Sequence, residues 1–104
     1  MIEFRDIHDR IFRLTDERKI HLENDHPEMK NQVERIDNTL LSPDCVIRSR
    51  TDSQVELFYK WYPTTPVTSK FLCVVVKLLP RNSFILTAYF TDTVKQGAIL
   101  WEKP

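Results

Sequence analysis

Phe71 to Thr91 reads F-L-C-V-V-V-K-L-L-P-R-N-S-F-I-L-T-A-Y-F-T. Two runs of β-branched and aromatic residues flank Pro80-Arg81-Asn82-Ser83, four residues of turn chemistry. The stretch therefore predicts adjacent antiparallel strands over Phe71 to Leu79 and Phe84 to Thr91. The density of valine and leucine in the first is that of a central strand. Alternation assigns Leu72, Val74, Val76 and Leu78 to the core, with Phe71, Cys73, Val75 and Lys77 opposite. In the second run, Phe84, Leu86, Ala88 and Phe90 are expected to face the core, and Ile85, Thr87, Tyr89 and Thr91 the other side.

Working outward, Gln54 to Tyr62 is another β-prone run, rich in aromatics, before a loop over Pro63 to Ser69. Cys45 to Arg50 precedes it, joined through Thr51-Asp52-Ser53. Four strands with short connections predict an antiparallel meander. Upstream, Thr15-Asp16-Glu17 has the hydroxyl cap and first-turn carboxylates of a helix that runs through about Leu22. Asp25-His26-Pro27-Glu28 has the D-x-x-E form of a capping box. Met29, Val33, Ile36 and Leu40 then form one apolar stripe, predicting a second helix that ends near Ser42, before Pro43. Ile11 to Leu14 reads as a short strand or extended arm, and Val94 to Trp101 as an extended segment or a turn of helix. Helices followed by strands predict an α+β fold: N-terminal helices packed on one face of a four-stranded antiparallel sheet. At 104 residues the chain is read as a single domain, with its core over about 14–101.

No run of ~18 apolar residues is present, so the sequence predicts no membrane span. The mixed charges of M-I-E-F-R-D lack the apolar stretch of a signal peptide, which predicts a cytoplasmic protein. Fifteen basic and fifteen acidic residues cancel, so nucleic-acid binding requires a local patch rather than global charge. With a single glycine, Gly97, the glycine-rich phosphate loops of P-loop and dinucleotide-binding proteins are excluded. Cys45 and Cys73 lie among apolar strand residues and read as buried free thiols.

The chemistry-bearing stretch is Arg18 to Glu28, R-K-I-H-L-E-N-D-H-P-E, which holds two of the three histidines. His21 and His26 with Glu28 lack the H-E-x-x-H spacing of helical zinc sites, and His26-Pro27-Glu28 lacks the P-C-x-x-C partner of zinc deaminases. No metal and no cofactor are expected. Two readings remain open. In one, Glu28 is a cap, His26 a helix-start residue and His21 a surface histidine. In the other, histidines beside Arg18 supply acid/base groups for phosphodiester cleavage, with cations and hydroxyl donors holding the phosphate.

The pattern of Thr15-Asp16-Glu17-Arg18, His21, His26-Pro27-Glu28, Thr39-Leu40-Leu41-Ser42-Pro43-Asp44, Phe71 to Lys77, Thr87-Ala88-Tyr89 and Lys95-Gln96-Gly97 resembles a family of small prokaryotic domains. These are grouped with the phage barnase/EndoU/colicin/RelE-like (BECR-fold) nucleases. The resemblance spans about residues 14–101. It implies a metal-independent endoribonuclease, toxin-like or phage-related, that cleaves RNA by 2′-hydroxyl attack. Under that resemblance the catalytic candidates are His26, Arg18, His21, Thr87, Tyr89 and Lys95, with Glu28, Lys77 and Tyr59 as binding residues. Lys19-Ile20 stands where the motif usually carries an aromatic residue before the first histidine. The partners implied are RNA and an antitoxin-like protein, with the chain a monomer or homodimer. The rival expectation is a non-catalytic protein- or RNA-binding module that uses the aromatics Phe58, Tyr59, Trp61 and Tyr62.

Overall fold

The computed structural model describes all residues, 1–104. The strands are β1 (Ile2–Arg5), β2 (Ile11–Leu14), β3 (Cys45–Arg48), β4 (Val55–Tyr62), β5 (Lys70–Lys77), β6 (Phe84–Thr91) and β7 (Ala98–Glu102). Two helices, α1 (Asp16–Asp25) and α2 (Val33–Leu41), and a 3-10 turn over Pro27–Met29 lie between β2 and β3. All seven strands form one sheet in the order β1-β2-β6-β5-β4-β3-β7. This overturns the expected fold of helices packed on a four-stranded antiparallel sheet. The protein is mostly sheet, its two helices are ten and nine residues long, and the sheet is mixed because β2 pairs with β6 in parallel. The four strands read from the sequence are its antiparallel centre.

Two strands precede the first helix. β1 and β2 form a hairpin whose turn is closed by the Asp6 carboxylate, which accepts from the backbone N–H groups of His8 and Arg10. Asp9 takes a positive φ of 64°, a conformation aspartate tolerates. The hairpin meets β6 through one residue pair, Arg13 with Phe84, and then curls over the face the helices cover. Phe12 on β2 packs edge-on against Phe58 on β4, with ring centroids 6.2 Å apart. Three strand spacings of ~4.8 Å would hold them about 14 Å apart in a flat sheet, so the curl is pronounced. Arg10 fastens it, donating to Asp6 beside it and to Glu56 on β4.

The helix-side core joins Leu22, Met29, Ile36 and Leu40 to Phe4, Phe12 and Leu14 of the hairpin and to Val46, Phe58, Leu72, Val74 and Val76 of the sheet. The apolar stripe is therefore present, but one continuous second helix is not. α1 runs on to Asp25, and His26, not Asp25, precedes the 3-10 turn and makes no side-chain cap. The capping-box reading of Asp25 and Glu28 is thereby corrected. Asn31, at φ 62°, breaks the chain before α2 begins at Val33.

Strand parity in β6 is corrected by a bulge. Val75 pairs with Thr87 but Val76 pairs with Ile85, which leaves Leu86 as the extra residue. Ile85, Ala88 and Phe90 belong to the helix-side core, while Leu86 and Tyr89 belong to a second cluster on the opposite, open face. Phe84, paired with Lys77, also falls on the open face.

The connection from β6 to β7 shapes that open face. These two strands stand four positions apart, ~19 Å at ~4.8 Å per strand, and only residues 92–97 join them. Seven peptide steps reach ~24 Å at most, so the segment is a strap with little slack across β5, β4 and β3. Val94 packs on the open-face cluster of Ile47, Val55, Leu57, Tyr59 and Cys73, and the Lys95 N–H donates to the Tyr59 hydroxyl at 3.1 Å. Gly97 ends the strap where a Cβ would collide with the Arg48 carbonyl oxygen and the Ile47 side chain. The chain's one glycine thus stands where the strap comes too close to β3 for a side chain.

Candidate functional site

One row of side chains crosses the open face. Cys45, Tyr59, Cys73 and Tyr89 are successive cross-strand partners on β3, β4, β5 and β6. Both cysteines are free. Burial pushes the Cys73 thiol up to about 11, so it remains a neutral thiol and no nucleophile. Burial, followed by the neighbouring Cys73, raises the Tyr59 and Tyr89 phenols as well, and both stay protonated donors. Tyr59 is fully buried beneath the strap. Its hydroxyl positions Lys95, and its side chain has no exposed surface of its own.

Beside this row lies a cavity of about 430 Å³ between the strap and the β3–β4 turn. Val55, Leu57, Val75 and Leu86 floor it. Ser49, Arg50, Thr51 and Asp52 form one wall, and Thr87, Tyr89, Lys95 and Gln96 the other. The Arg50 guanidinium reaches across to Gln96 Oε1 at 3.3 Å, which ties turn to strap. Lys77 is committed to Asp52, whose carboxyl it holds below the usual value. Arg50 and Lys95 form no ion pair, so the rim carries two cations without a carboxylate partner. Arg50 escaped the sequence reading. Its position at the end of a strand run, in R-S-R-T-D-S, resembles a solvated turn until the strap is seen to face it.

His26 completes the arrangement. Its imidazole packs against the Tyr89 ring, with centroids 5.6 Å apart and planes 32° from parallel. Nδ1 lies 3.6 Å from a Glu28 carboxylate oxygen, and both side chains are partly exposed. The chain comes here because α1 runs alongside β6. Arg18 near the start of α1 lies over Phe84, 5.1 Å from the ring centroid, and His26 at its end lies over Tyr89. The parallel orientation follows from those two contacts. The β2 pairing covers only Phe84 of this edge, which leaves the rest to α1 and the 3-10 turn.

Thr87, Tyr89 and Lys95 thus share one cavity, with His26 and Glu28 at its Tyr89 side and Lys77 held at its margin by Asp52. Arg18 and His21 are not brought there. They line shallow concavities at the other end of α1, with Thr15 and Glu17 in one and Met1, Arg13, Asn82 and Phe84 around Arg18 in another. His21 is largely exposed, 3.7 Å from Glu17. No three His, Cys, Asp or Glu side chains gather in a metal-binding group, and no helix is long and apolar enough to cross a membrane. Comparison with protein-family models, with curated proteins and with solved structures returned no match.

Proposed function

We propose that the domain is a small endoribonuclease that acts on the open face by 2′-hydroxyl attack, using side chains alone. The observation that carries this reading is the placement of His26 against Tyr89, beside a cavity with two unpaired cations on its rim. A phosphodiester brings one negative charge, which Arg50 and Lys95 are placed to receive. The apolar floor suits the face of a base, and Thr87 and Tyr89 offer hydroxyl donors to the phosphoryl oxygens.

His26 is the imidazole available to this face, and it takes the proton of the 2′-hydroxyl. The 2′ oxygen then bonds to phosphorus, and the bond from phosphorus to the 5′ oxygen breaks. The departing oxygen takes a proton from solvent, leaving a 2′,3′-cyclic phosphate and a 5′-hydroxyl. Glu28 lies 3.6 Å from Nδ1, on the flank of the imidazole. Cytoplasmic location and an antitoxin-like partner accord with this reading, and they rest on it.

The test is incubation of the purified domain with single-stranded RNA in the presence of EDTA, with end-group analysis of the products. Cyclic phosphate ends that vanish in Arg50→Ala and Lys95→Ala support the reading. RNA that is bound but left intact makes this a binding module instead.

A further inference from the structure

We infer that Arg18, held over Phe84, is a second phosphate subsite, so that the substrate is a strand several nucleotides long rather than a dinucleotide. This rests on the ribonuclease reading and extends it. Arg18 and His26 are eight residues apart along α1, ~12 Å at 1.5 Å per residue, too far to serve the same phosphate. Both ends of α1 nevertheless address the open face of β6, Arg18 through Phe84 and His26 through Tyr89. A strand lying along β6 passes Thr87 between them.

The Arg18 end gathers three cations, Arg18, Arg13 and the Met1 ammonium, of which Arg18 has no carboxylate partner. Its two concavities, about 270 and 310 Å³, share Thr15 and Arg18. Arg18 forms no ion pair, and Arg13 is met only by Glu3 at 3.7 Å. The carboxylates at this end have other partners: Asp16 pairs with the Met1 ammonium at 2.9 Å, Glu3 with Arg13, and Glu17 lies 3.7 Å from His21. The guanidinium lies over the Phe84 ring, 5.1 Å from its centroid, and makes no side-chain hydrogen bond, so its N–H groups are free for phosphate oxygens. The half-buried Arg18 therefore loses little freedom on binding.

The experiment compares kcat/KM for a dinucleoside monophosphate and a hexanucleotide, in the wild type and in Arg18→Ala. One lost charge-assisted phosphate contact predicts about a tenfold fall on the hexanucleotide. The dinucleotide should be cleaved equally by both proteins. The salt dependence of hexanucleotide binding should also become shallower by about 0.7 in log–log slope. Equal losses on both substrates, or none on either, overturn the inference while the ribonuclease stands. A wild type that cleaves neither substrate overturns the ribonuclease itself.

Discussion

The Tyr59 hydroxyl accepts a hydrogen bond from the Lys95 backbone N–H at 3.1 Å, and this bond pins the strap to the sheet at its midpoint. A buried phenol on a central strand thereby fixes where a cavity-lining lysine stands. Tyr59→Phe keeps the ring but leaves the Lys95 amide without its acceptor. The predicted loss is about 1–2 kcal/mol, which lowers the melting temperature by ~4–8 °C per kcal/mol. Amide exchange at Lys95 should accelerate more than exchange in β5. Unchanged protection at Lys95 would contradict the pinning role.

The hairpin is held over the helix-side core by charge. Arg10 bridges Asp6 and Glu56, whose side chains are nearly inaccessible while the Arg10 side chain keeps 33% exposure. Arg10→Met leaves two buried carboxylates without a cation. Breaking a fully buried pair costs about 3–5 kcal/mol, and partial exposure of Arg10 brings the expected loss to the low end. Urea unfolding measures it. The triple variant with Asp6→Asn and Glu56→Gln should recover much of the stability, because the desolvated charges are gone.

The Asp52 carboxylate accepts from Lys77 Nζ and from the Gln54 N–H, and both lower its pKa below the ordinary 3.8. A depressed folded pKa contributes stability that is present above the unfolded value and lost as pH falls through the folded one. The wild type is therefore expected to exceed Asp52→Asn in stability at neutral pH, with the gap closing below about pH 4. Exposure to solvent keeps that gap small. Urea midpoints across this pH range provide the check, and a pH-independent gap would refute the assignment.

Much of this architecture was legible in the sequence where burial on one side leaves a period. Leu72, Val74 and Val76 alternate against Cys73 and Val75 and occupy the predicted faces. Met29, Ile36 and Leu40 are buried even though a break at Asn31 divides their helix. β6 misled because F-I-L-T-A-Y-F-T offers apolar residues in both parities and no glycine to mark the bulge at Leu86. β1 and β7, four and five residues long, are too short for a periodic signal, and their pairing depends on distant strands. The site divides in the same way. Thr87 and Tyr89 share a strand face that parity reveals. That Arg50 and Lys95 line one cavity depends on a strap whose path no local pattern encodes.

The contact of His26 with Tyr89 can be tested by single-turnover cleavage of a radiolabelled RNA oligonucleotide, in EDTA, by the wild type and by His26→Ala. The account predicts cleavage to a cyclic phosphate by the wild type, reduced about a hundredfold or more in the variant, with binding affinity kept. Cleavage at the same rate by both proteins, or intact RNA with both, would contradict it.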